Sequence, residues 1–152
     1  MATALSASEG NKSITPRATL RRYDREFFYE QSSGRLLFGV GKSLVLIASC
    51  YAGAPGCVND PNTDHLRSRG PLPKGRYTIV KRHHSRFASP AFFLEPAEEN
   101  QMYGRSGFWV HGDNAKRNRS ASTGCIVTSW VERTVLDRTI KNSGCRTLRV
   151  IA

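Results

Sequence analysis

Gly, Pro, Asn and Asp interrupt this chain so often that, from Glu26 onward, most of its apolar runs are only long enough for short strands. Glu26 to Gln31, carrying Phe27, Phe28 and Tyr29, runs into Ser32-Ser33-Gly34 and then into Arg35 to Val40. That is the pattern of a hairpin in which Gly34 supplies a positive φ. Leu44 to Ala48 is a further apolar run, and Pro71, Pro73 and Gly75 introduce an alternating strand with Tyr77, Ile79 and Lys81 on one face and Thr78, Val80 and Arg82 on the other. Ala91 to Glu95, Gly107 to His111 and Cys125 to Thr128 continue the pattern, and Thr147 to Ile151 closes it.

One stretch departs from this period. Ser129 followed three residues later by Glu132 is a capping box, Val131, Val135, Leu136, Thr139 and Ile140 fall within one half of a helical circumference, and Gly144 suits a C-terminal stop. A helix of this kind covers a sheet. The expected fold is therefore mainly β, a sandwich or barrel with one packed helix near the C-terminus. The segment from Cys50 to Pro73 reads as a long, turn-rich loop of the sort that binds something. Residues 1–22 lack periodicity and read as a flexible arm, leaving 23–152 as a single domain. A chain of this length buries roughly two-thirds of its unfolded surface, enough for a core without staples.

Charge narrows the partners. Lys and Arg outnumber Asp and Glu by 23 to 12, a formal charge of +11, which favours an anionic partner such as a cell envelope, a nucleic acid or an acidic protein. A basic nucleic-acid-binding module is one reading, supported by Phe27, Phe28, Tyr29, Phe92 and Phe93, but no nucleic-acid fingerprint accompanies it. No run is long enough for a membrane span or a signal-peptide core. His83, His84, His111, Asp113 and Cys125 are suitable metal ligands one by one, yet no CxxC, HExxH or HxH spacing unites them, so neither a metal nor another cofactor is expected. His83 and His84 fall in KRHHSRF, which reads as a solvated basic face.

The chemistry is concentrated in HGDNAKRNRSASTGCIV, residues 111 to 127. A histidine ends an apolar strand, and a cysteine stands at the start of another after a polar, basic loop from Asp113 to Ala121. If the two strands lie side by side, the His111 and Cys125 side chains meet and can carry out acyl transfer. Gly124 lets a substrate backbone approach the thiol, and the amides of Gly124 and Cys125 are candidate oxyanion donors. Asp113 shares a strand face with His111 if that strand persists, and either its carboxylate or the Gly112 carbonyl can fix the imidazole tautomer; the other reading of Asp113 is a turn residue paired with Asn114. Cys50 and Cys57 bracket a Gly/Pro loop that can close as a disulfide, and a bond between Cys125 and Cys145 would remove the nucleophile.

These residues resemble a known family. A histidine after an aromatic strand, followed by Ser122-x-Gly124-Cys125 and two apolar residues, is similar to the catalytic signature of L,D-transpeptidases. More narrowly, the stretch from Phe27 to Val127 resembles the Tlde1-like, YkuD-related branch of antibacterial type VI secretion effectors. The resemblance rests on CYAGAPGCVNDP, on GPLPKGRY and on FWVHGDN before STGCIV. The wider signature has a second histidine directly before the Gly-Cys pair and an Arg or Asn two residues after the cysteine; here these places hold Thr123 and Val127. The resemblance implies an L,D-transpeptidase-like fold and a cysteine enzyme that acts on the peptidoglycan tetrapeptide stem through a thioester, as an L,D-carboxypeptidase, an exchange enzyme or both. It implies Cys125 as nucleophile, His111 as base, the Gly112 carbonyl as orienting group and Tyr51 in the substrate cleft; read from the residues themselves, an imidazolium beside the thiol would acidify it, Ser122 and Thr123 either contact substrate or cap the turn, and Trp109 is core or a wall of the cleft. It also implies export through a type VI apparatus without a signal peptide, action in the periplasm of the struck bacterium, and a cognate immunity protein as partner. A domain that binds cell wall without catalysis is the remaining alternative.

Overall fold

The computed structural model describes residues 25–152, so the arm expected over residues 1–22 lies outside the described residues. The elements in chain order are β1 (Glu26–Glu30), β2 (Arg35–Val40), β3 (Ser43–Ser49), β4 (Tyr51–Ala52), a short 3-10 turn (Pro61–Thr63), β5 (Gly75–Lys81), β6 (Phe92–Pro96), β7 (Trp109–His111), β8 (Ile126–Val127), α1 (Trp130–Ser143) and β9 (Thr147–Ile151). The strands form one nine-stranded sheet in the order β3-β2-β1-β9-β5-β6-β7-β8-β4.

The two edges of that sheet, β3 and β4, are separated in the chain by Cys50 alone. A sheet whose outermost strands are covalent neighbours must curl until its edges approach, which gives a nearly closed barrel rather than an open layer. Gly34 makes the approach possible. At φ +75° it completes the β1–β2 turn, and its carbonyl accepts the Cys50 amide at 2.7 Å. A Cβ on Gly34 would fall 2.0 Å from the Cys50 carbonyl oxygen, so no other residue fits there.

The interior is lined by the alternate residues that period-two patterning selects: Phe27 and Tyr29 from β1, Tyr77 and Ile79 from β5, Phe92 and Leu94 from β6, Val110 from β7, Ile126 from β8, and Leu148 and Val150 from β9. The last strand enters the middle of the sheet, parallel to β1 and antiparallel to β5, so the chain's final residues tie the N-terminal hairpin to the strands that bear the site.

Helix α1 starts and stops where its capping signals lie. The Ser129 hydroxyl accepts the Glu132 amide at 3.1 Å, and Gly144 caps the other end in the left-handed conformation. Leu136 and Ile140 enter the core, but Val131 is 63 % exposed. The apolar stripe is narrower than the sequence suggests, because the side chain that goes inward in the first turns is Arg133.

The expected loop from Cys50 to Pro73 is also corrected. It begins with β4, whose Tyr51 and Ala52 pair with Val127 and Ile126. A two-residue strand leaves no periodic trace, and only its partner reveals it. All four cysteines are free: Cys50 and Cys57 are buried as separate thiols, and the Cys145 sulfur lies 3.2 Å from the carbonyl oxygen of Arg25. Among the described residues no helix is long and apolar enough to cross a membrane.

Candidate active site

Strands β7 and β8 are parallel, with Val110 opposite Ile126 and His111 opposite Val127. Side chains alternate along a strand, so Val110 and Ile126 point into the barrel while Trp109, His111 and Cys125 share the other face. The amide of Trp109 donates to the Cys125 sulfur at 3.4 Å, which fixes the thiol beside β7. His111 and Cys125 therefore line one cleft of about 310 Å³, with Trp109, Thr123, His84 and Phe87 among its other walls. Cys125 also borders a second cleft, about 350 Å³, walled by Arg67, Arg105, Ser106 and Thr123. The sulfur is thus reachable from two directions.

The imidazole is held from three sides. Its Nδ1 donates to the Gly112 carbonyl at 2.7 Å, which leaves Nε2 as the basic nitrogen. The Phe87 ring stacks on it with centroids 4.2 Å apart and planes only 5° from parallel. Behind Gly112 lies the guanidinium of Arg133, so close that a Cβ there would meet its Nη1 at 2.8 Å. Burial pushes the His111 pKa down, Arg133 and His84 push the same way, and the Gly112 bond and Asp113 oppose them. Burial raises the Cys125 pKa, against the Trp109 amide and the Arg105 charge. Burial thus works against the charged form of both groups.

Other sequence-derived residues take different places from those expected. Strand β7 ends at His111, so Asp113 does not continue its face; its carboxylate accepts the Tyr51 hydroxyl at 2.8 Å and the Asn114 amide at 2.9 Å. The orienting group is the Gly112 carbonyl. Tyr51 is only 7 % exposed and its hydroxyl also accepts the Ala121 amide at 3.1 Å, so it clasps both ends of the loop between His111 and Cys125. Ser122 is buried as well. Its hydroxyl accepts the amides of Gly53 and Gly124, each at 2.9 Å, and donates to the Cys125 carbonyl at 2.7 Å. The Gly124 amide is therefore occupied and only that of Cys125 remains as an oxyanion donor of the expected pair. Thr123 and Trp109 do face the clefts.

Sequence reading misses two contributors. His84 stacks on Phe87 at 4.4 Å and meets Trp109 edge-on at 5.0 Å, so KRHHSRF supplies a wall of the cleft and not only a solvated surface. Arg105, 7 % exposed, donates to the carbonyls of Asp64, Pro71, Gly70 and Thr123, at 2.6, 2.9, 2.7 and 3.2 Å. One planar fork thus pins the long loop to the turn before Cys125. Val127, where the wider signature has a polar residue, is buried, and the cation beside the sulfur is Arg105 from a different loop. A single arginine between turn residues gives no advance signal of such a role. Among the described residues no cluster of His, Cys, Asp and Glu is suited to hold a metal.

The chain shares this architecture with solved proteins. Bd1075 of Bdellovibrio bacteriovorus superposes with a TM-score of 0.51 at 16 % identity, over 84 % of this chain and 48 % of that one. An L,D-transpeptidase from Xylanimonas cellulosilytica gives 0.48 at 15 % identity, over 83 % and 59 % of the two chains. The catalytic domain of the E. faecium L,D-transpeptidase gives 0.47 at 13 % identity, over 84 % and 97 %. The chain spans about half the length of Bd1075, and at such identities the likeness concerns the fold. No curated protein matches the sequence. The Tlde1 domain, in contrast, matches residues 47–149, about two-thirds of the chain and every strand that carries the site. By that match the protein belongs to the Tlde1 domain family.

Proposed function

We propose that this protein is a peptidoglycan-modifying cysteine enzyme that acts on tetrapeptide stems, at the bond between the third residue, a diamino acid, and the terminal D-Ala. The observation that supports it most is the shared face of Trp109, His111 and Cys125, with the imidazole tautomer set by Gly112 and the sulfur open to two clefts. Membership of the Tlde1 domain family supports the coarser part of this reading, a peptidoglycan-modifying enzyme.

In this reading His111 Nε2 takes the thiol proton as Cys125 Sγ attacks the carbonyl carbon of the diamino acid. Substrate binding brings the two groups within transfer distance, and general-base assistance of this kind contributes about 10²- to 10⁴-fold. The oxyanion is met by the Cys125 amide. As the tetrahedral adduct collapses, the C–N bond breaks, D-Ala leaves with the proton from His111, and a thioester remains on Cys125. Water attacks with His111 again as base, which returns the thiol and yields a tripeptide; the amine of another D-amino acid attacks in the same way and yields an exchanged stem. The second cleft beside Cys125 gives such a nucleophile a route to the thioester.

The protein would act as an antibacterial effector, passed through a type VI apparatus into the periplasm of a competitor and neutralised in the producer by a cognate immunity protein. Incubating purified tetrapeptide muropeptides with the protein, with and without D-Met, tests the chemistry. Tripeptide products establish hydrolysis and D-Met-terminated products establish exchange; unchanged muropeptides together with sedimentation on sacculi would favour a wall-binding domain instead.

A further inference from the structure

Arg86 and Phe87 form a ridge with a cleft on either side. On one side is the cleft of His111 and Cys125. On the other, behind Gly112, lies a cleft of about 560 Å³, larger than either that borders the sulfur. Its walls carry three guanidinium groups, Arg86, Arg117 and Arg133, and Trp130, which is 60 % exposed, stands at its side.

Among the described residues none of these arginines is in an ion pair. Asp113 is the one carboxylate in the lining, and its Oδ1 already serves Tyr51 and Asn114. Arg133 is 2 % exposed. Its Nε donates to the Pro90 carbonyl at 2.8 Å and its Nη1 to that of Thr128 at 2.7 Å, while Nη2 has no partner among the described residues. A buried guanidinium without a counter-ion is costly, and two further cations facing the same space add repulsion. A carboxylate bound here would relieve both, since its two oxygens match an arginine fork. Trp130 adds a flat apolar surface suited to the rest of an organic ligand rather than to a bare ion.

We infer that this cleft is a carboxylate subsite that holds the acidic part of the stem peptide while the scissile carbonyl lies at Cys125 across the Arg86–Phe87 ridge. The inference rests on the stem-peptide reading above and gives that reading a source of selectivity. Arg133, held by the Pro90 and Thr128 carbonyls, is the floor of the subsite, and Arg86 and Arg117 are its exposed forks. The stem carries the D-Glu α-carboxylate on the N-terminal side of the diamino acid.

Calorimetric titration with the stem tripeptide L-Ala-γ-D-Glu-meso-diaminopimelate, and with the same tripeptide amidated at the D-Glu α-carboxyl, tests the inference on the wild type, on Arg117→Gln and on Arg86→Gln/Arg117→Gln. Both substituted positions are exposed, so the variants keep the fold. The acidic tripeptide should bind the double variant at least about tenfold more weakly than the wild type, the scale set by one charge-assisted pair. The amidated tripeptide should bind the wild type weakly and change little in either variant. Equal binding of the two tripeptides by the wild type, or an unchanged affinity of the double variant for the acidic one, overturns the subsite. D-Ala release, measured on the same wild-type preparation, separates the two readings. Release without discrimination between the tripeptides removes the subsite and keeps the enzyme, whereas arginine-dependent binding without release keeps the subsite and removes the enzyme.

Discussion

The hydroxyl of Ser122 accepts the amide of Gly124 at 2.9 Å, and this bond takes from the nucleophile's turn one of the two amides that its sequence offers to an oxyanion. The same oxygen accepts the Gly53 amide and donates to the Cys125 carbonyl, so a single side chain joins the start of the long loop to the backbone of the nucleophile. Gly124 itself has no freedom to move aside: at φ +150°, a Cβ there would lie 2.6 Å from the Phe108 ring and 2.8 Å from Arg105 Nη2.

Removing that hydroxyl should therefore cost both stability and rate. Ser122→Ala leaves two buried amides without an acceptor, for a loss of about 2–4 kcal/mol in unfolding free energy by denaturant titration. D-Ala release should fall through kcat, with KM little changed, since Ser122 shapes the turn and is buried away from ligand. A variant with altered KM and wild-type stability would return Ser122 to the substrate-binding role.

Tyr51 makes a separate prediction. Its hydroxyl spans Asp113 and Ala121, the two ends of the loop that separates base from nucleophile, and burial holds its pKa at about 12, so it remains a donor throughout the working range. Tyr51→Phe should loosen that loop, with a stability loss of about 1–2 kcal/mol. Hydrogen exchange should speed up at the Ala121 amide while β1 and β9 keep their protection. Uniform acceleration across the sheet would show that Tyr51 acts as core packing alone.

Burial of the reacting pair predicts the pH behaviour. Because the His111 pKa is pushed down, the imidazole stays neutral below the ordinary histidine range, and the acid limb of kcat/KM should lie below that range. Stability carries the same sign. As pH falls through the ordinary histidine value the unfolded chain binds a proton that the folded chain refuses, so stability drops with falling pH and is flat above it. The raised Cys125 pKa adds that iodoacetamide should alkylate the free enzyme slowly at neutral pH and fast only above the ordinary cysteine range. Rapid alkylation that is flat through neutral pH would mean a pre-ionised thiolate–imidazolium pair.

The β character, the N-terminal hairpin, the capped helix and the strand-edge places of His111 and Cys125 were all legible in the sequence, because each rests on local rules: alternation, a Ser-Ser-Gly turn, a capping box, a histidine at a strand end and a Gly-Cys turn. What escaped was set by partners distant in the chain. Strand β4 is defined only by its pairing with β8, and the burial of Arg133 in place of Val131 by the carbonyls of Pro90 and Thr128. Tyr51 and Ser122 carried the chemistry of ligand contacts, and only the fold directs their hydroxyls inward. Asp113 does not sit beside His111 because β7 stops at His111, two residues short of it.

The central claim is a covalent bond between substrate and Cys125, and mass spectrometry of acid-quenched mixtures of enzyme and tetrapeptide muropeptide tests it most directly. The account predicts an adduct equal to the muropeptide less D-Ala, on the fragment that contains Cys125, lost in Cys125→Ala and scarce in His111→Ala while both variants remain folded. D-Ala release that persists at the wild-type rate in Cys125→Ala would contradict it.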